Sequence, residues 1–212
     1  SEACIYDSSE LALAKLQVFL DKNKGNYIFG SLNYNLKNEI EQIQCKNDDL
    51  LRFPLVNFWI PEFVIKIEDG SRNYLKGNKT SETEELLNDF FNQDQKETFL
   101  SENISFSART NKENYLKNVV KIKSLLQQGE IYELNYCQEY FAENIKINNP
   151  FEMYFRLNTI TKAPFSAFLN TEYHQMFCGS PERFLQKKGN KLISQPIKGT
   201  AARGNSEKED LA

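Results

Sequence analysis

The sequence predicts an α+β fold in which antiparallel sheets carry helices on their outer faces. Strand-like runs in the second half of the chain are joined by short turns, and short turns favour antiparallel pairing. Runs with apolar residues at helical spacing begin at capping residues and end at glycine or polar turns. Sixteen Phe and ten Tyr among 212 residues supply aromatic surface for sheet packing.

The first half of the chain begins with an amphipathic helix. Leu13, Leu16, Phe19 and Leu20 recur at helical spacing within residues 11–22, and Ser8 or Ser9 is the expected cap. The sequence then predicts, in order, a buried strand at 27–34 broken at Gly30, a short helix at 36–43, strands within 53–67 divided by Pro54 and Pro61, and a hairpin turn at 69–71.

Capping boxes begin two helices further along. Ser81 with Glu84 predicts a helix over 80–92, and Thr110 with Glu113 predicts one that Gly129 ends. A polar loop is expected at 93–102. The remaining expected elements are a strand at 131–143, a helix from Pro150 to about residue 160, strands at 165–169 and 173–178, and a hairpin over 183–195 across Gly189-Asn190.

Composition excludes several classes of partner. The net charge of −3 and the pI near 5.4 argue against nucleic acid, because phosphate binding needs a basic face. No apolar run approaches the roughly 20 residues of a membrane span, and no signal peptide is visible, so no membrane partner is expected. The length allows one large core or two small ones.

The cysteines and the single histidine predict no catalytic or metal site. Cys4, Cys45, Cys137 and Cys178 are scattered without the spacing of a disulfide framework or a zinc site, so free thiols in a reducing cytoplasm are expected. His174 lies in an alternating, strand-like stretch, which favours a structural role over catalysis.

One lysine stands out within residues 195–204, because it lies between a proline that ends a strand and a Gly-Thr turn. Lys198 follows Pro196-Ile197 and precedes Gly199-Thr200, with no charged residue beside it. A lysine held against apolar neighbours can lose its proton, and the neutral amine is a nucleophile or a base. The alternative is an ordinary solvated lysine in a turn.

A second motif precedes it: Ser180-Pro181-Glu182-Arg183-Phe184. This turn fixes one carboxylate, Glu182, at the mouth of a strand pair. A carboxylic acid that donates a proton near neutrality needs burial or a negative neighbour. The alternative is a turn carboxylate paired with Arg183 or Lys187.

Four segments together resemble the chorismate-utilising enzymes. They are residues 29–41, residues 129–135 (Gly-Glu-Ile-Tyr-Glu-Leu-Asn), the turn around Glu182, and Pro196-Ile197-Lys198-Gly199-Thr200 with Arg203-Gly204. The resemblance implies the layered sandwich of antiparallel sheets with outer helices found in anthranilate synthases. It also implies that residues 1–212 form the amino-terminal part of a single catalytic domain. The capping box at 206–209 favours the same interpretation, because too few residues follow it for a stable helix.

The resemblance implies a reaction at C4 of chorismate. Lys198 favours the aminodeoxychorismate (para-aminobenzoate) synthase component I branch, which leads to folate; anthranilate synthases commonly carry a small residue there. In that branch the lysine adds to C2, and Glu182 protonates the departing C4 hydroxyl. Ammonia, delivered by a glutamine amidotransferase subunit, then displaces the lysine. Gly199 and Thr200 are the expected substrate-binding residues.

The resemblance also limits what this chain is expected to do. Mg²⁺ holds the substrate carboxylate in the family, but its ligands lie beyond the lysine motif, so no metal ligand is expected within residues 1–212 and the fragment alone is expected to be inactive. Glu133 stands where water-using relatives carry a lysine, which disfavours a water nucleophile. Two alternatives remain: anthranilate synthase component I, and a non-catalytic module that binds an aromatic amino acid or docks an amidotransferase.

Overall fold

The computed structural model describes residues 2–7, 11–41, 43, 47–92, 104–197, 199, 204 and 206. The chain divides into two compact units: Ser1–Asn92 with Glu172–His174, and Gln93–Thr171 with Gln175–Ala212. Every strand pairing described is antiparallel, and helices accompany the strands in both units. The predicted α+β class is therefore confirmed.

The first unit contains a three-stranded sheet and a hairpin. Its elements are β1 (Ala3–Tyr6), α1 (Ala12–Lys22), β2 (Phe29–Leu32), a 3-10 turn (Tyr34–Leu36), α2 (Lys37–Ile40), β3 (Val56–Trp59), β4 (Val64–Glu68), β5 (Ser71–Lys76) and α3 (Ser81–Asn92). The sheet has the order β1-β3-β2, and β4 pairs with β5 across the predicted turn at residues 69–70.

The core of the first unit lies between α1 and the sheet. Ala12, Leu16 and Phe19 recur on one side of α1, and each is less than a tenth exposed. They pack with Cys4 from β1 and Val56 from β3. β2 is shorter and less buried than predicted, since Phe29 and Leu32 at its two ends remain about half exposed (47% and 53%).

A side chain distant in sequence satisfies the amino terminus of α1. Leu11, the residue before the helix, has a left-handed backbone and makes no side-chain cap. The carboxylate of Glu39 on α2 instead accepts the amides of Ala12 and Leu13, at 2.9 and 3.0 Å. The predicted caps, Ser8 and Ser9, lie outside the described residues.

The capping box of α3 lies one residue earlier than predicted. Thr80 and Thr83 exchange hydrogen bonds, each amide donating to the other's hydroxyl, at 2.9 and 3.1 Å. The predicted pair of Ser81 and Glu84 was wrong, because the carboxylate of Glu84 bonds to the Tyr74 hydroxyl on β5 instead.

The second unit consists of helices and two-stranded pairs. Its elements are β6 (Ser107–Ala108), α4 (Lys112–Gln128), β7 (Tyr140–Phe141), α5 (Pro150–Thr161), β8 (Phe165–Asn170), β9 (Gln175–Ser180), β10 (Arg183–Lys188) and β11 (Lys191–Gln195). β6 pairs with β7, β8 with β9, and β10 with β11.

Two expectations around α4 need correction. The cap is Asn111, whose side chain accepts the amide of Asn114, rather than Thr110 with Glu113; Gly129 does end the helix as predicted. The strand expected over 131–143 is mostly irregular, and only Tyr140–Phe141 pairs, with the short β6. An alternating pattern forms a strand only where a neighbour accepts its backbone bonds, and β6 offers two residues.

Aromatic side chains hold α5 on the β8–β9 pair. The ring of Phe168 on β8 stacks on that of Phe177 on β9, with 5.5 Å between centroids. From α5, Phe151 and Tyr154 approach Phe168 at 5.7 and 5.6 Å. Each such ring pair stabilises the fold by about 0.5–1.5 kcal/mol in addition to the energy from the area it buries. The β8–β9 pair is therefore held in place by α5.

Candidate functional site

The turn that carries Glu182 is formed where β9 ends and β10 begins. Ser180, the last residue of β9, pairs with Phe165 on β8. The start of the turn is therefore attached to the β8–β9 pair on which α5 packs. Arg183 begins β10 and pairs with Gln195 at the end of β11. Pro181 and Glu182 therefore connect two antiparallel pairs.

A close backbone approach sets the position of β9 just before this turn. A methyl group on Gly179 would lie 3.0 Å from both Oγ1 and Cγ2 of Thr161, at the end of α5. A side chain there would be in tight contact with Thr161, so Thr161 or the strand would have to shift by a few tenths of an ångström. Gly179 thus allows α5 to pack directly against the strand that leads to Glu182.

The hydroxyl of Ser180 closes the turn on Glu182. Ser180 Oγ accepts the amide of Glu182 at 3.2 Å and donates to the carbonyl oxygen of Glu182 at 3.1 Å. A serine hydroxyl can donate and accept at the same time, so one side chain satisfies both main-chain groups of the next residue but one.

The side chain of Glu182 reaches the segment that precedes Lys198. Its Oε1 accepts the main-chain amide of Ile197 at 2.9 Å. The structure therefore brings the two motifs together: the carboxylate is bonded to the peptide one residue before the lysine. Lys198 and Thr200 themselves lie outside the described residues.

The hairpin β10–β11 is what brings Ile197 back to Glu182. Its two-residue loop begins at Gly189, whose φ of 57° is the left-handed value that the first residue of a type II′ turn requires. Lys188 pairs with Lys191 beside this loop, as the Gly189-Asn190 signal predicted. A break in register between Arg183 and Gln186 lies at the end nearest Glu182.

The ion-pair interpretation of Glu182 has no support among the described residues. No salt bridge joins its carboxylate to Arg183 or Lys187 there. The guanidinium of Arg183 instead lies 4.8 Å from the centre of the Phe165 ring and bonds to Gln186 through Nη1. Its Nε is buried without a hydrogen-bond partner among the described residues.

The described residues of the site are exposed to solvent. Glu182, Ile197 and Gly199 are all exposed, and a methyl group placed on Gly199 would meet no described atom within 4 Å. The burial that a proton donor needs is therefore not supplied by the residues described around Glu182. Among the described residues, none blocks a ligand from approaching the main chain at Gly199.

His174, Cys4 and Glu133, which the sequence analysis also considered, are not part of the turn around Glu182. In the first unit, Nε2 of His174 lies 2.9 Å from the Leu51 carbonyl oxygen and its ring lies 4.2 Å from that of Phe53. Cys4 is buried, which raises the pKa of its thiol. Glu133 is exposed in the irregular segment after α4.

Two pairs of side chains outside the turn have shifted pKa values. The hydrogen bond from Tyr74 lowers the pKa of Glu84, and the same bond raises the pKa of the Tyr74 hydroxyl. In the second unit, the bidentate contact with Arg109, at 3.0 and 3.1 Å, lowers the pKa of Glu139. Neither pair includes a residue of the turn around Glu182.

The described residues do not fit a Mg²⁺ site. Among them, no three His, Cys, Asp or Glu side chains converge so that they could hold a metal ion. Of the helices described, none is long and apolar enough to cross a membrane.

Comparison with known proteins identifies the family of this chain. The model of a family described as chorismate binding enzyme matches residues 2–212. The chain belongs to the chorismate binding enzyme family. The matched residues include the turn around Glu182 and the lysine motif.

Curated relatives of this chain include an aminodeoxychorismate synthase component and an anthranilate synthase component I-like protein. Aminodeoxychorismate synthase component 1 of Bacillus subtilis is 32% identical over 108 residues, which cover 51% of this chain and 23% of the relative. The anthranilate synthase component I-like protein of Synechocystis is 27% identical over 188 residues, covering 85% and 38%. The chain thus spans well under half the length of these relatives.

A solved structure confirms the fold. The crystal structure of anthranilate synthase component I from Streptococcus pneumoniae superimposes with a TM-score of 0.63, covering 79% of this chain and 41% of that one, at 18% identity. This similarity supports the predicted sandwich of antiparallel sheets and outer helices in the chorismate-binding enzymes.

Two contributors to the site were missed by reasoning from the sequence. Ser180 was noted only as part of a turn motif, although its hydroxyl bonds twice to Glu182. Ile197 contributes through its main-chain amide, which no side-chain pattern reveals. The only available signal was the proline before it, which marks the end of β11.

Proposed function

We propose that this chain carries the nucleophile and the general acid of an aminodeoxychorismate synthase component I. The observation that carries the proposal is the hydrogen bond between Glu182 and the amide of Ile197. It holds the carboxylate of Glu182 against the amide of Ile197, the residue before Lys198, and both motifs lie within the residues that the family model matches. A substitution with a poor leaving group needs both a nucleophile and a proton donor, and these are the roles proposed for Lys198 and Glu182.

The proposed reaction has two substitution steps. The neutral amine of Lys198 adds to C2 of chorismate, both conjugated ring double bonds shift by one position, and the C4–O bond breaks as Glu182 gives its proton to the hydroxyl, which leaves as water. Ammonia then adds to C4, both double bonds shift back, and the C2–N bond to Lys198 breaks. The proton lost by the new C4 amine restores Glu182, so ammonia has replaced the hydroxyl at C4.

The hydrogen bond to Ile197 has a role in this scheme. Once Glu182 has given up its proton, its carboxylate carries a negative charge, and a main-chain amide at 2.9 Å stabilises that charge. The amide stands in place before the reaction begins, so no reorganisation is needed when the charge forms. Gly199 and Thr200 are proposed to bind a carboxylate or ring oxygen of the substrate.

Partners and cofactors follow from the proposed function. Ammonia would be supplied by a glutamine amidotransferase subunit, and Mg²⁺ would hold the substrate carboxylate through residues other than those described here. Because the chain spans 23% and 38% of its two curated relatives, residues 1–212 alone are proposed to be inactive. A cytoplasmic location stays a prediction.

Product identification tests the proposal. The polypeptide extended to the length of its relatives is incubated with chorismate, ammonium and Mg²⁺, and the product is analysed by mass spectrometry. A product with an amine at C4 that retains the enolpyruvyl group is expected. In a Lys198→Ala variant this product should disappear, whereas Lys187→Ala, on the same hairpin, should retain it.

One comparison favours a second candidate, anthranilate synthase component I. The anthranilate synthase component I-like relative matches 85% of the chain, a larger share than the aminodeoxychorismate synthase relative. In that case the same assay yields anthranilate and pyruvate. If a folded protein consumes no chorismate, and the Lys198→Ala variant binds its ligands as the parent does, the non-catalytic binding module becomes the better interpretation.

A further inference from the structure

The geometry points to Ser180 as a positioning residue for Glu182, a role that rests on the function proposed above. Ser180 Oγ accepts the amide of Glu182 and donates to its carbonyl oxygen, at 3.2 and 3.1 Å. Both bonds act on the main chain of Glu182, so together they fix the direction in which its side chain leaves the turn.

Ser180 is itself part of the strand pair β8–β9, on which α5 packs. It pairs with Phe165 on β8, and the residue before it packs against Thr161 of α5. The hydroxyl therefore joins Glu182 to a strand that is held in place from both sides. This differs from a turn serine in a free loop, which would move together with the residue it binds.

Glu182 is thus held both at its main chain and at its carboxylate. Its main chain is fixed by the hydroxyl of Ser180, and its Oε1 is fixed by the amide of Ile197 at 2.9 Å. Catalytic groups must lie within roughly 0.5 Å of the productive geometry, and a misplacement of about 1 Å can cost on the order of 100-fold in rate. Removing one of two restraints is expected to lower kcat by about 10-fold, with a smaller change in KM for chorismate.

The same hairpin provides a matched control. Ser194 Oγ donates to the carbonyl oxygen of Phe184 at 2.8 Å, which is also a serine-to-main-chain bond on an exposed strand, but it does not contact Glu182. Ser194→Ala is expected to keep the parental kcat. Ser180→Thr retains a hydroxyl and should keep most of the activity, and Ser180→Cys keeps the size while weakening both hydrogen bonds.

A double-mutant cycle in the complete polypeptide, assayed with chorismate, ammonium and Mg²⁺, tests the inference. Ser180→Ala and Ser180→Cys should each lower kcat, but Ser180→Ala should cause no further loss in a Glu182→Gln background, because a positioning residue acts only through the group it positions. Circular dichroism checks that each variant folds. A serine that merely supports the hairpin would give the same loss in both backgrounds.

The outcomes separate this inference from the proposed function. If Glu182→Gln lowers kcat by about 100-fold or more while Ser180→Ala and Ser180→Cys behave like Ser194→Ala, the positioning role is overturned and the acid assignment stands. An additive loss from Ser180→Ala in the Glu182→Gln background also overturns the positioning role. If Glu182→Gln leaves kcat unchanged, the acid assignment and the positioning role both fail.

Discussion

The carboxylate of Glu182 accepts a hydrogen bond from the main-chain amide of Ile197 at 2.9 Å. Ile197→Pro deletes that amide hydrogen, while Ile197→Ala changes the side chain and retains it. Because hydrogen bonds to a charged group contribute about 1.5–3 kcal/mol, the proline variant is expected to lower kcat by roughly 10- to 100-fold.

Steady-state kinetics on the complete polypeptide measure this effect, with Ile197→Ala as the control that keeps the donor. Equal losses in the two variants would show that the side chain of Ile197, rather than its amide, matters for the reaction.

The contact between Gly179 and Thr161 predicts a rescue experiment. Gly179→Ala should destabilise the chain by about 1–3 kcal/mol, because the new methyl group lies 3.0 Å from two atoms of Thr161. Thr161→Ala removes both atoms, so the double variant should regain much of the stability. Urea unfolding gives the free energies of the four proteins, and additive losses would contradict the steric explanation.

Glu39 predicts a stability effect in the first unit. Glu39→Ala leaves the amides of Ala12 and Leu13 without their acceptor and should cost about 1 kcal/mol, as the loss of a helix cap does. Glu41→Ala, a nearby exposed glutamate, is the control and should have little effect. The urea midpoint measures both, and a control that loses as much as Glu39→Ala would refute the capping role.

The bond between Glu84 and Tyr74, 2.5 Å long, predicts a pH dependence of stability. Tyr74 is the main cause of the lowered pKa of Glu84, with the charges of Lys79 and Arg72 adding to it. A lowered pKa in the folded state means that the stabilisation is complete above the ordinary glutamate pKa. It is lost as the pH falls through the folded-state pKa.

Glu84→Gln should therefore flatten the decrease in the urea midpoint between about pH 7 and about pH 3. Glu85→Gln, exposed on the same helix, is the control. On the alkaline side the raised pKa of Tyr74 works in the opposite sense: its stabilisation is present below the ordinary tyrosine pKa and is lost as the pH rises above it. An acid decrease that persists unchanged in Glu84→Gln would disprove this assignment.

Local signals explain which parts of the fold could be predicted from the sequence. Gly189-Asn190 marks a hairpin, Pro150 starts α5 and Gly129 ends α4, because each of these residues restricts its own backbone. The strand expected over 131–143 failed since pairing depends on a neighbour that the run itself does not contain.

The site was only partly predictable for a related reason. Glu182 could be proposed from its motif, and the structure adds a hydrogen bond from the amide of Ile197, within the lysine motif, to its carboxylate. The contacts that hold it were not foreseen, because a main-chain amide has no sequence signature. The cap of α1 was missed likewise, since Glu39 comes from 27 residues away along the chain.

The hairpin β10–β11 also determines when the site can form during folding. Glu182 immediately precedes β10 and Ile197 lies two residues after β11, so only a short segment must order before they meet. Hairpins close in about 1–10 μs, whereas contacts between distant segments come later and limit the folding of sheet-rich proteins. Glu182 can therefore meet the segment leading to Lys198 early, while much of the surrounding sheet is still to be assembled.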